Sequence, residues 1–584
     1  MDDHNQIELR FQFYENNTGK YLRFTRPAKI IRADALDQVI PALEQVWDAV
    51  NHGWYAAGFL AYEAAPAFDP AYRVKEAADL PLLWFGLFDR AEKAAVNRLH
   101  HLDPFQIGAW VANTNQKEYR QSIDRIKTEI KAGNTYQVNY TIALETEFTG
   151  DDFAFYEQLS DAQQGGFSAY LNIGSYRILS ASPELFFRWE KNTLTTQPMK
   201  GTAKRGLMAL EDATRRRELY LSEKNRAENV MIVDLLRNDL GKIADFGSVR
   251  VPKLFEITKY PTVFQMTSTV QATVPETTTL ADIFRSLFPC GSVTGAPKIS
   301  TMNIIAEEEK SPRGVYCGAI GYLTPQKQVY FSVPIRTVVI DKKRGTARYG
   351  VGGGITWDST AQDEYEEILA KAAVLDEEYP DFALLETMHW DQRNYTYLNR
   401  HLHRLRASAE YFDYPYREDE IREALDAHQR SYPGQKRRAR LLLFRDGRTE
   451  IESVPHVPFV KDIMQTVVLA NNAIDRNNRF FYHKTTNRQI YDQYKNAFPD
   501  AFDVLLWNEN NEITEFTIGN IVVEINGGYF TPPVSCGLLA GTLREALLEK
   551  GKISERIITI NDLAKASRIW MINSLRGWVP VQFE

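Results

Sequence analysis

The sequence predicts a protein of mixed α/β (α+β) class, built from two successive parts. Helical and strand-like apolar patterns alternate along all 584 residues. This length exceeds what one ordinary hydrophobic core requires. An acidic stretch with a proline, Asp-Glu-Glu-Tyr-Pro-Asp, separates the two parts. We therefore predict a first domain over residues 1–375, a linker over 376–382 and a second domain over 383–584.

The first part shows its elements in order. Residues 1–110 have the composition of mixed strands and helices. Apolar residues three or four positions apart predict a helix over 117–133 that ends at its final glycine. Strand-like composition follows over 134–150. The clearest helical pattern covers 218–240, and Gly241 is predicted to stand just beyond its end.

Later elements follow the same two periodicities. Glycine, proline and Asp-Gly pairs mark where one pattern stops and the next begins. In chain order, the sequence predicts a strand meander over 314–356, a helix over 359–378, a helix over 399–412, a strand over 440–444 that leads into the Asp446-Gly447 turn, and a Pro/Val-rich break near 454–460 that splits the second domain into two lobes.

Composition excludes several classes of protein. The net charge of −7 argues against a nucleic-acid binder, which usually carries a basic face. The sequence has no run of about 18 apolar residues, so it predicts no membrane span. The acidic N-terminal residues do not have the pattern of a secretory signal. Cys290, Cys317 and Cys536 lie far apart without a CxxC pattern, which is typical of reduced thiols. We expect a cytoplasmic protein that binds neither nucleic acid nor membrane.

Four features of the first part point to a site for an anion and a metal ion. Lysine in a turn, carboxylates on two helices and a run of glycines could together hold carboxylate groups and Mg²⁺, which accepts oxygen ligands. Each feature alone has an ordinary structural explanation: a solvated lysine, a salt bridge, a charged helix face or a flexible turn. The features are Lys200 between a proline and a glycine, Glu228, the triplet Glu364, Glu367 and Lys371, and the run Gly352-Gly353-Gly354.

Eight segments of the first part resemble the chorismate-utilising enzymes, and they occur in the order found in that family. The resemblance extends over about residues 1–375 and is weaker in the N-terminal third. It implies a two-sheet α/β sandwich. The segments are residues 182–186 (SPELF), 198–202 (PMKGT), 227–235 (AENVMIVDL), 237–239 (RND), 291–298 (GSVTGAPK), 316–321 (YCGAIG), 335–337 (IRT) and 352–355 (GGGI).

Within that family, the residue at position 200 distinguishes the activities. The lysine of this chain resembles the Pro-x-Lys-Gly-Thr motif of enzymes that form 4-amino-4-deoxychorismate. Anthranilate synthases look like Pro-x-Ala-Gly-Thr at the same place. The resemblance implies that the amine of Lys200 attacks C2 of chorismate and expels the C4 hydroxyl, after which ammonia attacks C4 and expels the lysine. It assigns Glu184 as the general acid that protonates the departing hydroxyl. An uncharged Lys200 would require burial that lowers its pKa.

The resemblance also implies the ligands of the first site. Glu228 and Glu367 are assigned to Mg²⁺, and we add Glu364 from the same helix face as a third candidate. The predicted substrate contacts are Thr294, Tyr316, Arg336, Lys371 and the amides of Gly352, Gly353 and Gly354. Two positions depart from the family pattern. Gln265 stands where members often carry histidine, and Asn225 stands where related members often carry an acidic residue.

Sparser motifs in the second part resemble the fold-type-IV pyridoxal-phosphate enzymes, which have two lobes. The resemblance implies Lys484 as the Schiff-base lysine, Glu515 as the partner of the pyridine nitrogen and Arg404 as a phosphate ligand. Gly541 and Thr542 open a helix whose amides suit phosphate. Asn520 is predicted to contact the cofactor, and Ser574 to contact substrate. Fewer residues precede the Glu386-Thr387 pair than in family members, so we expect either a trimmed lobe or an edge that the first domain covers.

Fusion of the two parts indicates a pair of consecutive reactions. A pyridoxal-phosphate lyase could remove pyruvate from 4-amino-4-deoxychorismate and leave 4-aminobenzoate, a precursor of folate. Three alternatives stay open: an enzyme like anthranilate synthase component I, a C-terminal amino-acid aminotransferase, and a non-enzymatic scaffold. The sequence contains no Cys-His-Glu glutaminase constellation. We therefore expect ammonia from a separate glutamine amidotransferase subunit or from solution, and we consider a homodimer formed through the second domain.

Overall fold

A computed structural model describes residues 7–15, 18–76, 79–93, 103–163, 165–376, 380–459 and 463–584. The chain divides into two compact units. One comprises Met1–Lys204 and Arg216–Tyr379, and the other comprises Arg205–Arg215 and Pro380–Glu584. The predicted linker falls partly on residues 377–379, which lie outside the described residues. No helix of the described ranges is both long and apolar enough to cross a membrane.

The α-helices of the described residues range from one turn to five. They are α1 Leu36–Asn51, α2 Gln116–Lys131, α3 Asp152–Gln163, α4 Ala209–Leu221, α5 Glu223–Gly241, α6 Leu280–Leu287, α7 Lys298–Glu308, α8 Ala361–Ala372, α9 Leu398–Phe412, α10 Glu418–Ser431, α11 Gln489–Ala497, α12 Thr542–Glu549 and α13 Ile560–Leu563. Short 3₁₀ turns cover Tyr62–Ala67, Gly291–Val293, Ala373–Leu375, Arg479–Phe481 and Val534–Cys536.

The strands of the first unit are β1 Glu8–Glu15, β2 Thr18–Thr25, β3 Lys29–Ala33, β4 Tyr55–Leu60, β5 Leu83–Phe88, β6 Glu92–Lys93, β7 Phe105–Ile107, β8 Val111–Ala112, β9 Gln137–Gly150, β10 Phe167–Asn172, β11 Tyr176–Ser182, β12 Leu185–Glu190, β13 Thr193–Gln197, β14 Met199–Lys204, β15 Arg250–Lys259, β16 Val263–Thr273, β17 Gly295–Ala296, β18 Ala319–Leu323, β19 Val329–Ser332, β20 Thr337–Asp341 and β21 Thr346–Ile355. One sheet has the order β17-β9-β21-β20-β11-β10-β1-β2-β6, with β7 and β8 also paired to β9. The other has the order β14-β16-β13-β12-β19-β18-β4-β5-β3, with β15 also paired to β16.

The two sheets of the first unit pack face to face. Their shared core combines side chains of β1, β2, β10 and β11 with side chains of β4, β5, β18 and β19. The outer face of the second sheet packs against α1 and α6. The outer face of the first packs against α2, α3 and α8. Because both faces of each sheet are buried, central strands such as β5, Leu-Trp-Phe-Gly-Leu-Phe, are apolar throughout. The predicted two-sheet α/β sandwich is confirmed.

The second unit has two sheets of different size. Its remaining strands are β22 Leu384–Trp390, β23 Arg437–Leu443, β24 Thr449–Pro455, β25 Gln465–Leu469, β26 Asp503–Trp507, β27 Ile513–Phe516, β28 Gly519–Ile525, β29 Gly528–Thr531, β30 Ser554–Glu555, β31 Arg568–Asn573 and β32 Gly577–Phe583. The small sheet has the order β22-β23-β24. The large sheet has the order β27-β26-β25-β32-β31-β28-β29-β30, and it closes on itself because β27 also pairs with β28. The predicted two lobes are therefore present, and the small lobe has three described strands.

The helix predicted over 218–240 is wrong at both ends. The chain breaks at Ser222, whose side chain accepts a hydrogen bond from the Asn225 amide and caps the start of α5. Gly241 is the last residue of α5 rather than the residue beyond it, and Lys242 follows in ordinary right-handed geometry. By contrast, Gly133 follows α2 with a φ of 79°, as its predicted role requires.

The segment Arg205–Arg215 belongs to the second unit, although it lies inside the predicted first domain. Arg205 forms an ion pair of 2.6 Å with Asp212 and donates to the backbone oxygen of Tyr411 at 2.9 Å. The Tyr411 hydroxyl donates in return to the Gly206 oxygen at 2.8 Å. Leu207 and Met208 pack against an apolar cluster of the large lobe. The second unit therefore includes a piece of chain that sequence order alone assigns to the first.

Candidate active sites

Lys200 lies on β14, at the edge of the second sheet. The ladder between β14 and β16 is irregular between Met199 and Thr202, so the strand bulges at the lysine. Gly201 has a φ of 97°, which favours glycine. A methyl group at Gly201 would also lie only 3.0 Å from the Asn225 side chain. Glycine here lets β14 and α5 approach closely, and it sets the position of Lys200 beside that helix.

The amine of Lys200 is surrounded by charged groups from separate elements. Burial lowers its pKa, and the positive charge of Lys371 lowers it further. Glu228 on α5, Glu367 on α8 and Glu184 oppose that shift but do not reverse it. A lowered pKa increases the fraction of uncharged amine, which is the nucleophilic form. The structure thus brings Lys200 together with three of its predicted partners.

Glu184 lies between β11 and β12 and is almost completely buried. Its backbone is held by Ser182, whose hydroxyl accepts from the Glu184 amide at 3.2 Å, and by the amide of Val333, which donates to its oxygen at 3.1 Å. Burial raises the pKa of the carboxyl to about 7. Its Oε1 atom makes no hydrogen bond. A carboxyl in this state can give up or accept a proton near neutral pH.

The expectation that the amides of the three glycines converge on an anion is wrong. Gly352, Gly353 and Gly354 lie inside β21 and pair in register with Thr141, Tyr140 and Asn139 of β9 rather than forming a loop. Alternate amides of a strand point in opposite directions, so three consecutive amides cannot converge on one anion.

These glycines instead leave space for neighbouring side chains. A methyl group at Gly354 would lie 2.7 Å from Nζ of Lys200 and would overlap Gln137. A methyl group at Gly353 would lie 3.1 Å from a carboxylate oxygen of Glu364. Sequence analysis did not single out Gln137, a buried polar residue whose Oε1 has no hydrogen-bond partner. Polar Gln137, Asn139 and Thr141 alternate at the start of β9, and this polar face was the available signal.

Lys371 and Arg336 are held near the same strand. Nζ of Lys371 donates to the Gly352 oxygen at 2.8 Å and forms an ion pair of 2.5 Å with Glu367. Arg336 donates to the Lys371 oxygen at 2.6 Å, and its backbone has a φ of 54°. Burial raises the pKa of Glu367, but the charge and hydrogen bond of Lys371 outweigh it, so the net pKa is lowered. Glu367 is therefore ionised and paired.

Thr294 and Tyr316 are both buried, but their contacts are mainly local. The Thr294 hydroxyl donates to the backbone oxygen of Cys290 at 3.1 Å. The Tyr316 ring packs against Gly350 and lines a cavity of about 30 Å³ together with Arg313. The roles of Thr294 and Tyr316 as substrate contacts stay predictions.

The two departures from the family pattern are both engaged in hydrogen bonds. Gln265 accepts from the Thr202 hydroxyl at 2.9 Å across the β14–β16 ladder. Asn225 donates through its amide to the Ser222 hydroxyl at 2.9 Å while it packs on Gly201. Neither side chain supplies a titratable group, so Glu184, whose pKa is raised to about 7, is left as the candidate acid of this site.

The donor set of the first site suits a hard divalent cation in part. Glu228, Glu364 and Glu367 supply carboxylate oxygens around Lys200 and Gly353. Burial raises the pKa of Glu364, and the charge of Glu367 adds to that effect, so a nearby cation would relieve it. Across the described ranges, no three acidic, His or Cys side chains converge closely enough to hold a metal by themselves. Mg²⁺ commonly binds one or two carboxylates and completes its shell with water and substrate oxygens.

The predicted residues of the second site line one cavity of about 420 Å³. A cavity of this size can enclose a small cofactor. The predicted residues that line it are Arg404, Lys484, Glu515, Asn520, Gly541, Thr542 and Ser574. They come from both lobes of the second unit, and some lie far apart in sequence.

Lys484 follows a histidine that anchors the loop. His483 is buried, shares a hydrogen bond of 2.9 Å with Ser408 and contacts the Leu207 oxygen at 3.2 Å. The Lys484 oxygen accepts from the Leu385 amide at 2.9 Å, which joins the loop to β22. Burial lowers the pKa of Lys484 to about 8, and the charge of Arg404 adds to the shift. The lysine is thus partly uncharged near neutral pH, as carbonyl chemistry requires.

Glu515 on β27 is fixed by three hydrogen bonds. Its Oε1 accepts from the Tyr491 hydroxyl at 2.9 Å and from the Leu539 amide at 3.1 Å, and its Oε2 accepts from Asn520 at 3.2 Å. Burial raises its pKa to about 8. Burial thus outweighs the charges of Lys484 and Arg488, which favour the ionised form. A protonated ring nitrogen of a bound pyridine would add a further cation beside the carboxylate.

Arg404 is held in place by a buried carboxylate. Its guanidinium binds Glu386 through two hydrogen bonds of 2.9 and 2.6 Å, and it donates to the Ala540 oxygen at 2.9 Å. His401 contacts the same carboxylate at 2.6 Å. Five N–H groups are available on a guanidinium, so donors remain for an anion. Arg404 is consequently preorganised beside the start of α12.

Gly541 precedes α12, where free amides and the helix dipole favour an anion. A methyl group at Gly541 would overlap Oδ1 of Asn520, whose amide also donates to the Leu539 oxygen at 2.8 Å. With Arg404 alongside, this end of the cavity suits a phosphate group. Lys484, Glu515 and this phosphate-binding end of the cavity together match the donor set that pyridoxal phosphate requires.

Four further arginines were not singled out from the sequence. Arg438, Arg440, Arg488 and Arg576 also line the cavity. Arg438 and Arg440 alternate along β23 and therefore share one face of the small sheet. Two charged residues at that spacing in a strand were a signal that sequence analysis could have used.

The comparisons with known proteins match each of the two parts of the chain to a family model. Residues 10–377 match the family model described as chorismate binding enzyme, and residues 383–582 match that of amino-transferase class IV. An aminodeoxychorismate synthase component 1 of Klebsiella aerogenes is 40% identical over 263 residues, which is 45% of this chain and 58% of that protein. One of Salmonella typhimurium is 35% identical over 341 residues, 54% of this chain and 74% of that protein. The chain thus spans little more than half the length of the first of these relatives.

A solved structure supports the same assignment for the first unit. Anthranilate synthase component I of Streptococcus pneumoniae TIGR4 has a TM-score of 0.52 and 25% sequence identity, covering 64% of this chain and 90% of that one. The first family model alone accounts for well over half of the chain. The buried lysine, its carboxylates and the two-sheet sandwich lie within that matched region. The chain therefore belongs to the family of chorismate binding enzymes and carries a class IV aminotransferase region behind it.

Proposed function

We propose that this chain makes 4-aminobenzoate from chorismate in two steps. The first unit would replace the C4 hydroxyl of chorismate by an amino group, and the second would remove pyruvate from the product. The observation that carries the proposal is the position of Lys200, half-buried with a lowered pKa among Glu184, Glu228 and Glu367. The relatives named aminodeoxychorismate synthase component 1 support the first step.

The residues of the first site fit a double displacement. The uncharged Nζ of Lys200 would form a bond to C2 of chorismate while both ring double bonds shift and the C4–O bond breaks. Glu184, with a pKa of about 7, would protonate the departing hydroxyl to give water. Ammonia would then form a bond to C4 as the C2–Nζ bond breaks. The sum consumes chorismate and ammonia and yields 4-amino-4-deoxychorismate and water.

Mg²⁺ is the metal we propose for this site. Glu228 and Glu367 would hold it, with Glu364 as a further donor, and its charge would favour binding of the substrate carboxylates. Lys371 now pairs with Glu367, so a cation bound there would release its ammonium group for an anion. Arg336, Thr294 and Tyr316 remain proposed substrate contacts.

The second site would act on the aminated product. Bound pyridoxal phosphate supplies an electron sink for the carbon that carries the amino group. Lys484 would hold the cofactor, then remove the proton from that carbon and pass one to the departing three-carbon unit. Glu515 would hold the pyridine nitrogen, and Arg404 with the start of α12 would hold the phosphate. Loss of pyruvate leaves an aromatic ring, so no external oxidant is needed.

Ammonia is the second substrate of the first step. The designation component 1 of the relatives supports a separate subunit that supplies it. We propose a glutamine amidotransferase for that role, a homodimer through the second unit and a cytoplasmic location as extensions of the same proposal. The three buried free cysteines fit a reducing compartment.

A single assay tests the proposal. Purified chain is incubated with chorismate, Mg²⁺, pyridoxal phosphate and an ammonium salt, and the products are separated by chromatography. We expect 4-aminobenzoate from the unaltered chain and no aminated product from Lys200→Ala. Lys204→Ala is the matched control, because Lys204 is an exposed lysine of the same strand and should retain activity.

Other products would identify the alternatives. Formation of 2-aminobenzoate would show an anthranilate synthase instead. Release of 4-amino-4-deoxychorismate without 4-aminobenzoate would support an amino-acid aminotransferase in the second unit. Full amination by Lys200→Ala would contradict the covalent mechanism.

A further inference from the structure

The charges around the C-terminal cavity are strongly unbalanced. Among the described residues that line it, Glu515 is the single carboxylate, and the proposed function assigns it to the ring nitrogen. Against it stand six cationic side chains: Arg404, Arg438, Arg440, Lys484, Arg488 and Arg576. A cavity lined by one sign of charge concentrates ligands of the opposite sign. One phosphate group accounts for only part of this excess.

Four of the six cations already have a role or a partner. Lys484 and Arg404 serve the cofactor in the proposed function. Arg440 donates to Glu452 at 3.0 Å, and Arg488 donates to the Thr517 oxygen at 2.8 Å. The excess is thus concentrated on the remaining two arginines.

Arg438 and Arg576 approach the cavity from different lobes of the second unit. Arg438 projects from the central strand of the small sheet, opposite His389 of β22. Arg576 lies in the turn between β31 and β32, two residues after Ser574. Among the described residues, no carboxylate lies within ion-pair distance of either guanidinium.

The two guanidinium groups also influence each other. Burial lowers the pKa of Arg576, Asp503 opposes that shift, and the charge of Arg438 adds to it. Two neighbouring cations repel unless an anion lies between them. Asp503 and the rings of Phe459 and Phe502 near Arg576 offset part of this repulsion, and an anionic ligand between the two guanidinium groups would offset more of it.

We propose that Arg438 and Arg576 form a subsite that binds a carboxylate of the substrate. This inference rests on the proposed function and deepens it, because it assigns the second unit to amino acids with two carboxylates. A guanidinium matches a carboxylate in shape and donors. The apolar side chain of a branched-chain amino acid could not use the pair and would leave both groups unpaired.

Binding of small ring acids to the full chain loaded with pyridoxal phosphate tests the subsite without turnover. Isophthalate, a dianion, and benzoate, its monoanionic analogue, are titrated while the visible absorbance of the bound cofactor is followed, so that only the second site reports. We expect isophthalate to bind at least tenfold more tightly than benzoate. In Arg438→Met and Arg576→Met this preference should fall to threefold or less. Arg430→Met, an exposed arginine of α10 in the same lobe, should keep it.

The outcomes separate the subsite from the proposed reaction. Equal preference for the dianion in all variants would overturn the subsite. Loss of the preference in both arginine variants supports it, even if the unaltered chain makes no 4-aminobenzoate, in which case only the proposed reaction fails. Arg438→Lys keeps a charge and should retain part of the preference, which distinguishes lost binding from a misfolded lobe.

Discussion

Lys200 and Lys484 are both half-buried lysines with lowered pKa values, yet they lie in opposite electrostatic settings. Glu184, Glu228 and Glu367 act on Lys200, so its site carries negative charge around the amine. Lys484 lies near Arg404 and Arg488, and its site carries positive charge. The same physical cause, burial, makes both amines more nucleophilic. The surrounding charges then decide which ligand each amine meets.

This difference matches the two unlike cofactors that we propose for the chain. Carboxylates around Lys200 suit a divalent metal, whereas arginines and a helix start near Lys484 suit a phosphate. Each site also uses a glycine to leave room. Gly354 admits the Lys200 amine, and Gly541 admits the Asn520 amide that fixes Glu515. The comparison predicts that changes in one site leave the other unaffected, which the following variants test.

The largest expected effect comes from Lys484→Ala. Without a positioned proton carrier, formation of 4-aminobenzoate should fall by about 10²–10⁴-fold. Consumption of chorismate should continue at the original rate, because the first unit is intact. Product analysis by chromatography checks both quantities, and Lys552→Ala, an exposed lysine, is the control. A parallel loss of chorismate consumption would break the separation of the two sites.

Glu386→Gln should destabilise the second unit. Removing one partner of a buried ion pair costs about 3–5 kcal/mol, because Arg404 is left without its carboxylate. The change should appear as faster hydrogen exchange in peptides of the second unit, with no change in the first. Glu423→Gln, an exposed glutamate of α10, should have no such effect.

The ionisation of Glu386 also makes the stability of the second unit depend on pH. Burial opposes ionisation of Glu386, but Arg404 and His401 outweigh it and hold its pKa at about 2, below the ordinary 4.5. The contribution of ionised Glu386 to the free energy of unfolding is therefore complete above pH 4.5, and it is lost as the pH falls towards 2. The shift corresponds to about 3 kcal/mol. If Glu386→Gln showed the same acid unfolding as the unaltered chain, the pair would not be the cause.

Gly354→Ala should have an intermediate effect on the first site alone. The added methyl group would press on the Lys200 amine and Gln137. Overpacking of this kind costs about 1–3 kcal/mol, which corresponds to a fall of about 10–100-fold in kcat/KM for amination. Steady-state kinetics with chorismate and ammonium measure it. Gly166→Ala, where a methyl group meets open space, should change kcat/KM by less than twofold.

Tyr411→Phe should have the smallest effect. It removes the hydrogen bond to the Gly206 oxygen, which holds the segment 205–215 in the second unit. Loss of one neutral hydrogen bond costs about 1 kcal/mol. We expect slightly faster hydrogen exchange around His483 and unchanged amination. No change in exchange at this position would indicate that the segment is held by Arg205 and the apolar residues instead.

Local pattern alone determined much of this protein. The 3.6-residue period and a glycine stop predicted α2, and the family motifs identified Lys200, Glu228, Glu367, Lys484 and Glu515. The helix depends on neighbours in sequence, and the five side chains are candidates whose roles in the two sites stay predictions. For the same reason the two-part organisation was accessible, since an acidic, proline-containing stretch interrupts both periodicities.

Other features depended on residues distant in the chain. The segment 205–215 reads as part of the first domain and belongs by its contacts to the second unit. The glycines of β21 suggest a loop, but pairing with β9 makes them a strand. Arg438 and Arg576 acquire a common role only when two lobes bring them to one cavity. Periodicity reports which face of an element is buried, whereas long-range pairing and burial set the partners and the charge around each side chain, and these were decided by the tertiary structure.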